Sequence, residues 1–349
     1  MQTHGYAAHS ADTPLAPFTF DRREPGPTDV AIDILFCGVC HSDLHTARGE
    51  WGGTLYPCVP GHEIVGRVAA VGSEVSRFAV GQTVGVGCMV DSCGHCPSCD
   101  DGEEQYCTGG GFVGTYNGKD KHLGGHTFGG YSAHIVVDQG FILRVDHDEK
   151  DHAAVAPLLC AGITTFNSLA HSGAKPGERV AVLGLGGLGH LGVQYAAKMG
   201  YEVIAIARGS DKAPFTRQLG AKYYIDASHE NVAEALNRLG GAKVVLSTVT
   251  DSDAMSATID GLSKNGTLLV VGASGEPIKV SPFQLIMGRK TIKGWPSGTA
   301  ADSEATMNFS ALTGVRPLIE RYPLERAAEA YDRMISGKAR FRVVLETGA

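Results

Sequence analysis

Apolar and polar positions change rhythm along the 349-residue chain near residues 151 and 290. Before the first change they alternate. DVAIDILFCGVC and IVGRVAAVG switch between apolar and polar side chains, and Gly/Pro turns separate such runs. That pattern predicts half-buried β-strands. Past residue 151 the stretch AAVAPLLCAGITTFNSLAHSG reads as an apolar helix. After KPGE come the strand RVAVL, a glycine turn, the helical GHLGVQYAAKMG, the strand VIAIA and the helical DKAPFTRQLGAK. Strand, turn, helix, strand, helix is a βαβ unit. KVVLSTV and GTLLVVGA add later strands, and near-continuous apolar strands between helices predict a parallel sheet covered on both faces. The expected class is α/β: a β-rich domain over 1–150, a doubly wound domain over 151–290, and a mixed segment over 291–349. That segment ends in the strand RFRVVLET, which is suited to return to the first domain. Residues 108–130 hold nine glycines without a period and read as a flexible loop near a cleft mouth.

Composition narrows the classes. Apolar content of 43% and charged content of 19% suit a soluble globular enzyme with two cores. A net charge of −7 argues against broad binding to nucleic acid or anionic membrane, and no apolar run approaches a membrane span. Nine cysteines without an export-type leader point to the cytoplasm.

The cysteines also carry the chemistry. Cys93, Cys96, Cys99 and Cys107 fall in the single run CGHCPSCDDGEEQYC. Four thiolates close a tetrahedral shell around Zn²⁺ and leave no open position, which is a structural site. A second ligand set is dispersed: Cys40 in GVCHSDLH, His62 and Glu63 in VPGHE, and Cys160 in LLCAGIT. Cys40, His62 and Cys160 are the types that hold a catalytic zinc with one position left for substrate. Glu63 adjoins them as an orienting or transient ligand. Beside Cys40, Ser42 is placed to hydrogen-bond the substrate oxygen, and His45 is a titrating group for a proton relay. His41 is expected against cofactor phosphate, and Asp43 near the metal. Trp51, Met89, Trp295 and Pro296 are candidate walls of an apolar pocket, with ordinary packing as the alternative. Cys37, Cys58 and Cys88 read as packing residues, and His122, His126 and His134 as polar surface.

Gly184, Gly186 and Gly189, with Gly187 between, give the G-x-G-x-x-G spacing between a strand and a helix. That context permits a tight turn and a pyrophosphate at the helix N-terminus. At the end of the next strand stand Arg208, Ser210 and Lys212, where a carboxylate would hold the ribose 2′-OH of NAD. Two cations and a hydroxyl favour the 2′-phosphate of NADP(H). Asp211 nearby keeps NAD(H) open.

With these residues in hand, the chain resembles the zinc-dependent medium-chain alcohol dehydrogenases, and within them the cinnamyl alcohol dehydrogenase-like branch with its bacterial broad-specificity aldehyde reductases. GVCHSDLH, YPCVPGHEIVGRV, the four-cysteine run, LLCAGIT and GLGGLGHLGV match in order. The resemblance implies a GroES-like catalytic domain interrupted by a Rossmann domain, with two zinc ions per chain. It also implies Thr164 against the nicotinamide, Arg342 as a phosphate contact, and a homodimer. One departure stands out: many relatives carry a serine/threonine-rich turn where this chain has Arg208-Gly209-Ser210.

The expected reaction interconverts primary alcohols and aldehydes, aromatic and medium-chain aliphatic, with NADP(H). Two other readings stay open, an NAD-dependent polyol dehydrogenase and a non-catalytic zinc/NADP-binding redox sensor. A zinc-finger nucleic-acid module is disfavoured because DDGEE is acidic where phosphate contacts need cations.

Overall fold

The computed structural model describes residues 1–348 and divides the chain into two compact units. The first comprises Met1–Cys160 together with the segment from Gly298 onward, and the second Ala161–Ser297.

A seven-stranded sheet organises the first unit. Its central strand, Asp29–Val39, pairs antiparallel with Ile64–Val71, His134–Asp138 and the C-terminal strand Arg342–Glu346. Three neighbours leave few positions of this strand in contact with water. It is buried at most positions rather than alternately, and two register shifts against Ile64–Val71 bend it. The C-terminal strand returns as the sequence pattern suggests, with Val343 opposite Val39 and Leu345 opposite Cys37. Val30, Ile32, Ile34, Ile64, Val84, Ile142 and Val343 form the main core. Burying each such side chain contributes about 1.5–3 kcal/mol.

The second unit is a six-stranded parallel sheet. Its spatial order is Tyr223–Asp226, Glu202–Ala207, Arg179–Leu183, Ala242–Ser247, Leu262–Val270, Thr291–Gly294. Numbered by sequence within the unit, that is 3-2-1-4-5-6, the order of a dinucleotide-binding fold. Ala181, Leu183, Ile204, Ile206, Val245 and Leu268 fill one of its cores.

The compact units divide after Cys160, past the change in hydrophobic rhythm at residue 151. Ala153, Val155, Ala156 and Leu159 pack with Val65, Leu143, Met307 and Val344, so this apolar helical stretch serves the first core. Tertiary burial, invisible to local periodicity, sets that boundary. Residues 108–130 are also more ordered than a flexible loop. Val113–Gly114 pairs with Met89–Asp91, and the Asn117 N–H donates to the Thr127 carbonyl across a turn. The half-buried Arg22 guanidinium donates to the carbonyls of Phe128, Gly129 and His134 and fastens the far end. Among the described residues no single helix is long and apolar enough to cross a membrane.

Candidate active site

Antiparallel pairing brings the dispersed ligands together. Cys37 stands opposite Ile64, so Cys40 and His62–Glu63 leave the same end of two adjacent strands. Cys160 arrives on the turn after Ala156–Leu159, which packs in the same unit. One ligand atom from each of Cys40, His62, Glu63 and Cys160 lies within 4.8 Å of every other. The Cys40 and Cys160 sulfurs are 3.9 Å apart. Tetrahedral Zn–S bonds of about 2.3 Å require an S···S edge of about 3.8 Å, so the spacing fits zinc.

A carboxylate sets the histidine. Asp43 is fully buried at the third position of the helix His41–Ala47. It accepts from the Cys40 N–H (2.9 Å), the Gly61 N–H (3.0 Å), the Tyr131 hydroxyl (3.2 Å) and His62 Nδ1 (2.9 Å). A carboxylate only accepts, so His62 Nδ1 carries the proton and Nε2 is left as the ligand atom. Burial, the largest single influence, would lower the His62 pKa, but the Asp43 charge, the Cys88 thiol and the hydrogen bonds to Asp43 and Cys40 together push the group well above its usual value. The Cys40 thiol is held well below its usual value, mainly by a hydrogen bond from Cys160.

Behind the cluster, Glu63 pairs with Arg342, and both are fully buried. Burial pushes the Glu63 carboxyl up to about 7 against the pull of Arg342. Glu63 Oε2 has no hydrogen-bond partner among the described residues. An orphaned carboxylate oxygen within a group of soft donors is the second sign that the site fits a cation. Arg342 Nε and Nη1 are likewise without partners among the described residues.

Ser42 Oγ lies 3.6 Å from Cys40 Sγ. His41 and His45 follow on the same short helix, ring centroids 6.3 Å apart. Trp51 is exposed and stacks on His45 at 5.0 Å, while Met89 is buried in the first unit. Trp295 and Pro296 belong to the second unit, where Trp295 stacks on His171 at 5.1 Å. Thr164 is buried on the second unit's helix Ala161–Ala170.

Two neighbours escaped the sequence reading. Cys88, read there as packing, adjoins the cluster: its sulfur lies 3.9 Å from the Leu159 carbonyl, and its thiol, after Cys40, helps drive the Cys160 pKa up. The Tyr116 ring lies 5.7 Å from that of His62. Neither sits in a ligand-type motif; the pairing of Met89–Asp91 with Val113–Gly114, with the Thr115 N–H donating to the Cys88 carbonyl, holds their two segments together. Cys37 and Cys58 are buried packing residues, as expected. His122, His126 and His134 join no group of metal-type ligands among the described residues.

The four-cysteine run closes on itself. The ligand sulfurs of Cys93, Cys96, Cys99 and Cys107 also lie within 4.8 Å of one another. Cys93–Cys99 and Cys96–Cys99 are 3.9 and 3.6 Å apart. Backbone N–H groups point at the sulfurs: Cys93 N–H to Cys107 (3.3 Å) and Thr108 N–H to Cys96 (3.4 Å). The Cys96 thiol is lowered to about 5, first by the Cys99 N–H and then by the Thr108 N–H. A Cβ at Gly109 would meet Cys93 Sγ at 2.5 Å, so the close approach requires glycine there.

In the second unit, each nucleotide-loop glycine has a separate reason. Gly184 has φ +95°, and a Cβ there would lie 2.7 Å from Thr248 and Val249. A Cβ at Gly189 would collide with the Gly184 carbonyl, whereas one at Gly186 meets nothing within 4 Å. The loop is therefore tight beneath and open above, at the start of the helix Gly189–Lys198. That cradle fits a pyrophosphate. Gly187 completes the turn. Arg208 and Ser210 follow just past the strand Glu202–Ala207, and Lys212 Nζ braces the turn on the Arg208 carbonyl at 2.8 Å.

Comparison with known proteins agrees. The alcohol dehydrogenase GroES-like domain matches residues 26–147, and the zinc-binding dehydrogenase domain matches residues 187–311. The chain is 45% identical over 348 residues to aldehyde reductase YahK of Escherichia coli, covering 99% of this chain and 98% of that protein. It is 44% identical over 345 residues to NADP-dependent alcohol dehydrogenase C 1 of Mycolicibacterium smegmatis, covering 99% and 97%. A solved cinnamyl alcohol dehydrogenase from Sorghum bicolor superposes with a TM-score of 0.92 at 38% identity, covering 99% and 98%.

Proposed function

The chain belongs to the zinc-binding dehydrogenases with an alcohol dehydrogenase GroES-like domain, and on that premise we propose that it interconverts primary alcohols and aldehydes, aromatic and medium-chain aliphatic, by hydride transfer with NADP(H). The observation that carries the reading is the buried group of two thiols, one oriented imidazole and one orphaned carboxylate oxygen. A closed structural site needs none of that asymmetry.

Cys40, His62 and Cys160 hold the catalytic zinc, with Glu63 as exchangeable neighbour. Cys93, Cys96, Cys99 and Cys107 hold the structural one. When bound, zinc supplies Lewis acidity to the substrate oxygen and the nicotinamide supplies or accepts the hydride. The chain's own groups do the rest. Asp43 fixes the His62 tautomer. Ser42 accepts the alcohol proton and passes on its own, and His45 carries it toward water. Arg208 and Ser210 take the 2′-phosphate, the cradle around Gly186 takes the pyrophosphate, and His41 and Arg342 supply further donors. Thr164 lies against the nicotinamide. Trp51, Met89, Cys88 and Tyr116 are the candidates of the first unit for an apolar substrate group, and Trp295 and Pro296 those of the second.

A homodimer is supported by the second unit's surface. Its last strand, Thr291–Gly294, ends the sheet, and Phe283, Ile286 and Met287 nearby are each 70% exposed. A second copy would cover both features. Both ligand sets need reduced thiols, and all nine cysteines are free, which suits the cytoplasm. An aldehyde panel assayed with NADPH and with NADH tests the reading. It predicts benzaldehyde turnover with kcat/KM higher for NADPH, whereas no turnover of any aldehyde would point to a sensor.

A further inference from the structure

The turn that follows the strand Glu202–Ala207 is gripped by the strand beside it. Tyr223–Asp226 pairs parallel with Glu202–Ala207, and Asp226 stands opposite Ala207. Tyr224 and Asp226 are two positions apart, so their side chains leave the same face of their strand. Both reach Gly209. The Gly209 N–H donates to Asp226 Oδ1 at 3.0 Å, and the Tyr224 hydroxyl donates to the Gly209 carbonyl at 2.6 Å. The same hydroxyl lies 3.2 Å from the Ala207 carbonyl, and Lys212 Nζ donates to the Arg208 carbonyl at 2.8 Å. The carbonyls of Ala207, Arg208 and Gly209 are therefore all held by side chains, while Arg208 and Ser210 stay exposed.

The states of the two side chains suit the grip. Asp226 is buried, and its Oδ1 also accepts from the Ser228 hydroxyl (2.5 Å) and the Ser228 N–H (3.0 Å). The Ser228 hydroxyl, then its N–H, hold the Asp226 carboxyl below the usual range, and the Gly209 N–H adds to them. The carboxyl is thus ionised and only accepts. Burial, then the charges of Asp226 and Asp211, push the Tyr224 phenol up to about 12, so it keeps its proton and donates. Gly209 needs such holding. Its φ is +92°, and a Cβ there would meet Asp211 Oδ1 at 2.5 Å, so no other residue fits. An unheld glycine samples many conformations, and each would change the spacing of Arg208 and Ser210 on its two sides.

We infer that Tyr224 and Asp226 are positioning residues for cofactor choice: by fixing Gly209 they set Arg208 and Ser210 at one spacing, to meet the 2′-phosphate of NADP(H) together. This rests on the reading of Arg208 and Ser210 as the 2′-phosphate site. A turn ordered before the cofactor arrives does not have to be ordered by it, and the difference appears in affinity. A dinucleotide without the 2′-phosphate makes no use of the spacing, so the clasp favours NADPH over NADH rather than both alike. The Asp226 charge by itself repels a phosphate. Its place beneath the turn is explained by the Gly209 N–H it holds, not by contact with the cofactor.

The experiment uses the purified zinc-loaded protein as parent, Asp226→Ala, Asp226→Asn, Tyr224→Phe and Arg208→Ala. Calorimetric titration compares NADPH with NADH, and 2′,5′-ADP with 5′-AMP. Asp226→Ala should weaken NADPH and 2′,5′-ADP by about five- to tenfold, and NADH and 5′-AMP by less than about twofold. Tyr224→Phe should show the same split at about two- to fourfold, and it carries the test if Asp226→Ala does not fold. Asp226→Asn keeps an acceptor for the Gly209 N–H and loses the charge, so its NADPH affinity should equal or exceed that of the parent. In hydrogen–deuterium exchange without cofactor, residues 207–212 should exchange faster in Asp226→Ala than in the parent, and at the parent's rate in Asp226→Asn. NADPH and NADH weakened alike, by either clasp variant, overturn the inference and leave Tyr224 and Asp226 as structural residues. An Asp226→Asn protein as weak for NADPH as Asp226→Ala, or clasp variants that bind NADPH like the parent, also overturn it. An Arg208→Ala protein that binds 2′,5′-ADP as tightly as the parent, or a parent that binds 2′,5′-ADP no tighter than 5′-AMP, overturns the 2′-phosphate reading on which the inference rests.

Discussion

The two ligand groups are the same size and sit in the same unit, yet they are built in opposite ways. The four-cysteine group comes from a single run of fifteen residues and is braced by its own backbone N–H groups. The other group joins residues 120 positions apart, Cys40 and Cys160, and is braced from outside by Asp43 and Arg342. Four thiolates would overcompensate the ion's charge and fill its shell. Two thiolates and a neutral imidazole leave it formally neutral, with room for a substrate oxygen. A local group can stabilise a lobe, whereas the group assembled by the whole fold includes a buried carboxylate with one oxygen left without a partner among the described residues. The contrast supports the proposed division, with stability in one and chemistry in the other.

The largest expected effect comes from removing a ligand of the dispersed group. Cys160→Ala should lose one zinc and lower kcat by roughly a thousandfold or more, because the metal's charge at the reacting oxygen stabilises the transition state more than any other group in the site. Its melting temperature should stay within a few degrees of the parent. Steady-state kinetics and metal analysis on one preparation check both halves. Next is the brace: Asp43→Asn keeps the shape of the side chain but removes the charge that fixes His62. Such supporting substitutions cost about 10–100-fold in metal affinity or activity, and a zinc-competition titration would show which.

The local group should respond in stability instead. Cys99→Ala should lower the melting temperature by about 5–10 °C, since metal binding is folding free energy for such a lobe. Turnover at room temperature should stay within a few-fold of the parent. A Cys99→Ala protein that melts like the parent but has lost its activity would reverse the division of labour. The smallest effect is expected from Gly109→Ala, whose Cβ would crowd Cys93 Sγ. A melting-temperature decrease of a few degrees, read by calorimetry with kcat unchanged, would sharpen the assignment to packing around the metal.

The same contrast explains what was legible in the sequence. The cysteine run and the strand–glycine turn–helix at Gly184–Gly189 are local, so spacing alone carries their geometry. Cys40, His62 and Cys160 were candidates by residue type and by family resemblance, but strand pairing brings Cys40 to His62, and the packing of Ala156–Leu159 in the same unit brings Cys160. The Glu63–Arg342 pair spans 279 positions, and no periodicity links its members. Arg342 was expected at a cofactor phosphate; the structure shows it buried and paired with Glu63, which spacing does not announce. Cys88 looks like any apolar-flanked cysteine until Leu159 and Cys160 are folded against it. The late unit boundary has the same origin, because Val155 and Leu159 read as a helix either way and only their packing against Val65 and Val344 decides which core they serve.

One measurement tests the division of labour most directly. Zinc is withdrawn stepwise from the parent protein with a chelator, and bound zinc, benzaldehyde turnover with NADPH and melting temperature are followed on the same samples. The fully loaded protein should hold about two zinc ions per chain, one for each ligand group. Turnover should fall to zero with the loss of one ion and return when zinc is restored, while most of the melting temperature is lost with the other. Turnover that survives removal of both ions, or activity and melting temperature that decline together in proportion to total zinc, would contradict the account.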